Sequence, residues 1–181
     1  MVVEGPALFD TSAESYLGRN LDEETDRWLA LYCGQFRMVL SPMTVVERMR
    51  GYWTMLARAV PSTRPVIEES IEEYLEHLDS ECEVLYFDMP CALISAELMA
   101  LHPNPPSAPH RSHRESESRQ DRMSRWRFDI MIAATALVYG LPLIHNNPRD
   151  FEAMRMLIEM VPERFPGIGP LNLISVKRLA A

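Results

Sequence analysis

The sequence contains no apolar run long enough to cross a membrane. Its longest apolar stretch, residues 130–144, is interrupted by Gly140 and Pro142. That stretch is also shorter than the roughly 20 residues that a membrane-spanning helix needs. The N-terminal segment MVVEGPALFD has neither a basic region nor a cleavage motif of small residues. We therefore expect no signal peptide and no membrane partner, and we predict a cytoplasmic protein.

Cysteine and glycine motifs are also scarce. The chain has 3 cysteines, an odd number without the spacing of metal ligands. We therefore expect reduced, mostly buried thiols and neither a disulfide framework nor a zinc site. Gly167 and Gly169 lie before a predicted strand, whereas a phosphate-binding glycine loop joins a strand to a helix. This context excludes a nucleotide-binding fingerprint at these glycines.

The chain has no excess of basic residues. Its formal net charge of -8 argues mildly against a protein whose whole surface holds nucleic acid, because phosphate binding favours Lys and Arg. The charge is compatible with a local site in which carboxylates hold cations. With 181 residues, 47% of them hydrophobic and 24% charged, the composition predicts one globular domain over residues 1–181.

Short apolar segments alternate with segments of helical periodicity along most of the chain. Strands separated by helices predict an α/β fold with a parallel sheet covered on both faces. Ser12 is the expected N-cap of the first helix. The predicted strands are residues 6–10, 36–40, 83–88, 141–145 and 171–176, and the main helices are 13–19, 22–33, 45–59, 90–101, 126–139 and 151–160, with another beginning near 63–65.

Four acidic residues stand out by their positions relative to these elements. Asp10 ends the first strand, Glu47 lies in the first turn of the helix after the second, and Asp150 lies just beyond the fourth. Ligands of open parallel sheets bind outside the carboxyl ends of the strands, where the strand order reverses. We therefore predict that these three acids converge. Asp129, at the opening of the helix before the fourth strand, joins them if that helix begins at the same edge.

A cluster of carboxylates has a specific chemical use. Carboxylates repel one another and raise one another's pKa, and hard divalent cations such as Mg²⁺ and Mn²⁺ relieve that repulsion. A metal held in this way can activate water for phosphodiester cleavage. Taken singly, each acid has an ordinary alternative: a helix cap for Asp10, a favourable helix-dipole position for Glu47 and Asp129, and a turn for Asp150. Taken together, the four favour a metal site.

Four sequence motifs resemble those of the PIN-domain family, in the same order through most of the chain. They are Leu8-Phe-Asp10-Thr-Ser12, residues 41–51 around Glu47, residues 128–144 beginning with Phe128-Asp129, and Asn147-Pro-Arg-Asp150-Phe151. The last two together are the specific part of the likeness. Within this family the chain resembles the VapC-like toxins of bacterial toxin–antitoxin pairs.

The resemblance implies a three-layer α/β/α fold with a five-stranded parallel sheet in the order 3-2-1-4-5. It also implies an Mg²⁺- or Mn²⁺-dependent endoribonuclease, usually a homodimer, that a cognate antitoxin holds inactive. By position, Asp10, Glu47, Asp129 and Asp150 would be metal ligands or water-activating groups, with Asn147 supporting the site and Thr11 or Ser12 orienting Asp10. His145 stands where the family usually has Thr or Ser; we favour a structural role for it over a substrate contact.

Other functions are compatible with parts of this pattern. A phosphatase of the haloacid-dehalogenase type also has an Asp after its first strand, but it usually needs a second Asp where this chain has Ser12. A PIN-like binding or regulatory module without activity would be expected to have lost at least one of the four acids, and all four are present. A DNA-directed nuclease of the same fold stays open, because the residues that recognise the RNA 2′-hydroxyl cannot be located from sequence.

Residues 102–123 interrupt the rhythm of strands and helices. The segment is rich in Pro, Ser, Arg and His and nearly free of apolar side chains, which predicts a flexible surface insertion. Residues 110–127 contain six arginines and three acids, a net charge of +3. We favour a solvated loop; the alternatives are an arm that grips RNA phosphates and a surface that meets an antitoxin.

Overall fold

The computed structural model describes residues 5–17, 23–106 and 117–179, apart from the side chain of residue 178. The predictions that fall on residues 18, 19, 22 and 107–116 lie outside the described residues. Two predicted features are affected: the ends of the first two helices and the middle of the insertion.

Five parallel strands form one sheet in the order β3-β2-β1-β4-β5, which confirms the predicted fold class and strand order. The central strand β1 pairs with β2 on one side and β4 on the other, so the order of the chain reverses at β1. The strands are short: β1 (Leu8–Phe9), β2 (Met38–Leu40), β3 (Cys82–Val84), β4 (Leu143–His145) and β5 (Leu173–Ser175).

Helices connect the strands and cover both faces of the sheet. None of the helices in the described ranges is long and apolar enough to span a membrane. The helices are α1 (Thr11–Leu17), α2 (Glu23–Cys33), α3 (Pro42–Arg58), α4 (Arg64–Ser80), α5 (Met89–Leu101), α6 (Arg119–Tyr139) and α7 (Pro148–Met160), with 3₁₀ turns at Pro162–Arg164 and Val176–Arg178.

The side chains of the strands alternate between two apolar layers, as expected for a sheet buried on both faces. From β1, Leu8 enters the layer formed mainly by α5, α6 and α7. Ala7 and Phe9, its neighbours in the chain, enter the opposite layer with residues of α1 and α2. Leu143 and Ile144 of β4 divide in the same way. The result is the predicted three-layer α/β/α arrangement.

Helices α1, α3, α5, α6 and α7 all begin earlier than predicted, and the shifts of α3 and α6 change where a site residue lies in its helix. Helix α3 begins at Pro42, because the Ser41 side chain caps it by accepting a hydrogen bond from the Met43 amide at 3.3 Å. Glu47 therefore lies in the second turn, and its predicted place in the first turn is wrong. Helix α6 begins at Arg119 and not near residue 126, so residues 119–123 of the predicted insertion are helical.

Helix α6 begins after a local N-cap at Ser118, although the polar composition of its first turns gives no apolar pattern that would predict a helix there. The hydroxyl of Ser118 accepts a hydrogen bond from the amide of Asp121 and donates one to its carboxylate. This pairing resembles a capping box, which satisfies the unpaired amides of a first helical turn. Asp129 is consequently in the middle of α6, and the prediction that it opens its helix is wrong.

Candidate active site

A cavity of about 450 Å³ opens at the carboxyl edge of the sheet, beside β1 and β4. This is the point where the strand order reverses and where ligands of such sheets bind. Its walls come from the residue that follows β1, from α1, from α3, from α6 and from the loop after β4. The described residues that line it are Asp10, Thr11, Ser12, Ser15, Tyr16, Glu47, Arg125, Asp129, Asn146 and Asn147.

Asp10 is fixed in place at the end of β1. Its amide donates to the carbonyl of Ile144 in β4 at 2.9 Å, and its side chain is almost completely buried. One carboxylate oxygen accepts from the Ala13 amide at 2.5 Å, and the other accepts from the Ser12 hydroxyl at 2.7 Å. Asp10 therefore caps α1, and the prediction that Ser12 is the N-cap is wrong. The Ser12 hydroxyl instead orients the Asp10 carboxylate.

The charge of Asp10 is poorly compensated despite these hydrogen bonds. Burial raises the pKa of Asp10 from 3.8 to about 7. Hydrogen bonds from Ser12, Ala13 and the backbone of Asn146 lower this pKa, while the charge of Glu47 raises it further. Asp10 thus combines a structural role as a helix cap with the electrostatics of a buried, repelled carboxylate.

Asp129 is the second buried carboxylate of the cavity. Burial raises its pKa well above the usual value, and the charges of Asp10, Glu47 and Asp150 raise it further. Arg125, one turn earlier on α6, lowers it. Because Asp129 is far from the start of its helix, a favourable position in the helix dipole does not explain it. Its side chain instead lines the same cavity as Asp10 and Glu47.

Asp150 lies behind the cavity wall and not on it. It is fully buried in the first turn of α7 and is absent from the described lining residues. The Asn147 amide nitrogen donates to Asp150 at 2.9 Å and to Asp129 at 3.0 Å, and so links the two acids. The Arg125 guanidinium lies 3.2 Å from Asp150. The structure therefore brings Asp10, Glu47, Asp129 and Asn147 to one cavity and places Asp150 next to them.

His145 and Arg125 differ from what the sequence suggests. His145 is buried at the end of β4, with its ring centroid 5.2 Å from that of Phe151, and it does not line the cavity, which favours a structural role. Arg125 lines the cavity, although sequence reasoning treated it as one arginine among six. Its spacing from Asp129 was the available signal, since residues four apart share a helix face.

The donor set of this cavity fits a hard cation. Its carboxylates supply oxygen ligands, which Mg²⁺ and Mn²⁺ prefer, and two of them are buried with raised pKa values that a cation would lower. Within the described residues, however, no group of three or more His, Cys, Asp or Glu side chains is already arranged to hold a metal ion. The lining supplies the ligand types without a preformed cage.

Comparison with known proteins agrees with this architecture. A family model described as PIN domain matches residues 7–156. The fold is similar to that of a DNA-bound VapBC of Salmonella typhimurium, with 20% identity and a TM-score of 0.56 over 94% of this chain and 98% of that one. VapBC-1 of nontypeable Haemophilus influenzae is similar with 18% identity and a TM-score of 0.56 over 96% and 100% of the two chains.

FitAcB of Neisseria gonorrhoeae has the same degree of likeness, with 20% identity and a TM-score of 0.56 over 95% of this chain and 99% of that one. At these identities the structures show a shared fold. No curated protein matches the sequence significantly.

Proposed function

The chain belongs to the PIN domain family, and on that premise we propose that it is a metal-dependent endoribonuclease, the toxin of a toxin–antitoxin pair. PIN domains are generally nucleases and typically use divalent metal ions. One observation carries the proposal for this chain: Asp10, Glu47 and Asp129 line a single cavity at the carboxyl edge of the sheet.

The proposed site divides its residues by position. Asp10, Glu47 and Asp129 would hold Mg²⁺ or Mn²⁺, because their carboxylates reach the cavity. Asp150 is better supported as a positioning residue than as a ligand, because it is fully buried and hydrogen-bonded to Asn147. Asn147 would keep Asp129 and Asp150 at a fixed separation. A bound divalent cation would supply an activated water and stabilise the negative charge that develops on the phosphodiester.

The protein's own groups set the conditions for that reaction. The hydrogen bonds from Ser12 and Ala13 hold both oxygens of Asp10, so its carboxylate cannot rotate away from the cavity. Because burial favours the protonated forms of Asp10 and Asp129, both must release protons when a cation binds. The apparent metal affinity should therefore rise with pH.

A protein partner is the second part of the proposal. The similar solved structures are VapBC and FitAB assemblies, which supports a cognate antitoxin for this chain. A homodimer is supported by large apolar side chains that are half exposed on α3, among them Val46, Trp53 and Met55. Light scattering of the purified protein tests the dimer, and a monomer at micromolar concentration would contradict it.

Cleavage of a mixed RNA pool that includes structured tRNA tests the nuclease directly. The purified protein is compared in Mn²⁺, Mg²⁺ and EDTA with the Asp10→Asn variant, which keeps an oxygen acceptor for the cap of α1. Asp79→Asn, an exposed acid on α4, is the matched control. We expect metal-dependent cleavage that Asp10→Asn abolishes and Asp79→Asn retains. Equal cleavage by both variants would show that the site is wrong.

Two further outcomes separate the alternatives. Cleavage of a DNA copy of the pool at a rate equal to or above that of RNA would favour a DNA-directed nuclease. Absence of cleavage, together with no metal binding by calorimetry, would favour a PIN-like module without activity.

A further inference from the structure

Arg125 is held by acids on two sides at the edge of the acidic cavity. Its Nη1 atom lies 3.2 Å from the fully buried Asp150. On the other side its Nε and Nη2 atoms donate to the two carboxylate oxygens of Glu117 at 3.1 and 3.0 Å. Both side chains of the outer pair are mostly buried, with 16% of Arg125 and 12% of Glu117 exposed. The guanidinium is thus bound by Asp150 on its interior side and by both carboxylate oxygens of Glu117 on its outer side.

The two-oxygen contact with Glu117 has the geometry of phosphate recognition. The guanidinium edge formed by Nε and Nη2 binds two oxygens at once, and carboxylate and phosphate suit it equally. A phosphodiester and the Glu117 carboxylate therefore cannot occupy that edge together.

The cavity also needs a cation for a polyanionic substrate. The charged lining residues within the described ranges are Asp10, Glu47, Asp129 and Arg125, so Arg125 is the cationic group among them. We propose that Arg125 binds a substrate phosphate in this site and that Glu117 occupies its phosphate-binding edge until substrate replaces it. This inference rests on the proposed nuclease function, and it adds a self-inhibitory contact to the site.

The location of Glu117 suits a displaceable group better than a positioning one. Glu117 precedes Ser118, the N-cap of α6, and belongs to no helix or strand. Asp150 already holds the guanidinium from the interior, so Glu117 is not needed to keep Arg125 beside the cavity. A change at Glu117 also leaves the Ser118 cap intact.

Steady-state cleavage of an RNA oligonucleotide with Mn²⁺ tests the inference. We expect Glu117→Gln to lower KM by about 3- to 10-fold, since a partly buried competing ion pair is removed. Arg125→Lys keeps the charge but loses the two-pronged edge, and we expect it to raise KM. The matched control is Glu152→Gln, which breaks the Glu152–Arg155 ion pair on the exposed face of α7 and should leave KM unchanged.

The double variant decides whether Glu117 acts through Arg125. In the Arg125→Lys background, Glu117→Gln should lower KM much less than in the wild-type background. Thermal melting of every variant shows whether it is folded, and Arg125→Lys is used instead of a neutral residue to avoid leaving Asp150 without a cation.

The outcomes separate this inference from the proposed function. If the wild-type protein cleaves RNA but Glu117→Gln leaves KM unchanged, the inference fails and the nuclease stands. If Glu117→Gln raises KM, Glu117 positions Arg125 and the inhibitory contact is refuted. If the wild-type protein neither cleaves nor binds labelled RNA, the proposed function fails and this inference fails with it.

Discussion

Two regions of the molecule contain buried acidic side chains, and they differ in whether a basic side chain compensates the negative charge. In a second cavity of about 290 Å³, the buried Glu14 of α1 has Arg48 of α3 beside it, with the Arg48 Nε atom 3.1 Å from a carboxylate oxygen. The contact is an ion pair without good hydrogen-bond alignment. The Arg48 guanidinium also lies 5.4 and 5.2 Å from the ring centroids of Tyr52 and Tyr74.

The pKa shifts in the two regions show the difference. Burial raises the pKa of Glu14, and the charge of Arg48 lowers it. Burial also raises the pKa of Asp129, but there three carboxylates raise it further and the charge of Arg125 lowers it. The chain thus provides a dedicated cation for Glu14 and none sufficient for the acids of the site. An incomplete charge balance in a pocket is what distinguishes a candidate functional site from a structural ion pair.

The largest expected effect is on cleavage. Asp129→Asn should lower the rate of RNA cleavage by about 100-fold or more, because it removes a charged group aimed at the reacting centre. Glu14→Gln, the matched change in the second cavity, should retain the activity of each folded molecule. The measurement is initial rate per folded protein in Mn²⁺. Similar losses in both variants would mean that the two regions do not differ in function.

The next effect is on stability, in the second cavity. Arg48→Gln should lower the free energy of unfolding at pH 8 by about 2–3 kcal/mol, because it leaves the buried Glu14 without its cation. Arg155→Gln breaks two exposed ion pairs, with Glu152 and Glu159, and should cost less than about 1 kcal/mol. Urea denaturation of both variants checks this. A cost for Arg48→Gln no greater than that of the control would contradict it.

Neutralising an acid of the candidate site should raise the free energy of unfolding, whereas Arg48→Gln should lower it. The folded pKa of Asp10, about 7, exceeds its ordinary 3.8, so the folded state holds a proton that the unfolded state releases. The stability from this group is therefore fully present below pH 3.8 and is lost as pH rises through 7. In EDTA at pH 8, Asp10→Asn should raise the free energy of unfolding by about 1–2 kcal/mol.

The pH dependence provides the check on that sign. The advantage of Asp10→Asn in urea denaturation should shrink as the pH falls towards 4. Glu47 and Asp129 are present in both proteins, but the repulsion between their charges and that of Asp10 is relieved only in the variant, which adds to its advantage at pH 8. A variant less stable than wild type at pH 8 would contradict the prediction.

The smallest effect is the response to metal. Mg²⁺ or Mn²⁺ at about five times its Kd should stabilise the wild-type protein by about 1 kcal/mol, which is about 2–4 °C in Tm for a chain of this size. The metal ion should stabilise the Asp10→Asn variant less, because the variant lacks one charged ligand and has less repulsion between carboxylates for the cation to relieve. Thermal melting with and without EDTA measures both. An equal shift in the two proteins would place the cation elsewhere.

Much of the fold could be predicted from local patterns. The strand at Leu8–Phe9 and its successors follow from short apolar segments, and the helices between them require a parallel sheet. The start of α6 was not predicted, because its first turns contain few apolar residues. Its N-cap, Ser118, is nevertheless a local feature of the sequence. The same polarity concealed that Met123 packs against the apolar layer.

The convergence of Asp10, Glu47 and Asp129 on one cavity could be predicted from the sequence, but the rest of the arrangement could not. Asp10 could be placed because it directly follows a strand, so the sheet fixes its position. Asp150 also follows a strand, yet its side chain is buried behind the cavity. Arg125 went unnoticed because no local pattern shows which turn of α6 reaches the cavity.

The sequence by itself determined the order of strands and helices and put acids at the ends of strands, because apolar alternation and capping act over a few residues. Only the tertiary structure decided which acids have a cation beside them. The packing of α1 against α3 brings Glu14 next to Arg48, and the course of the chain just before α6 brings Glu117 next to Arg125. Charge compensation depends on distances of a few ångströms between such faces, and a linear pattern of residues does not contain those distances.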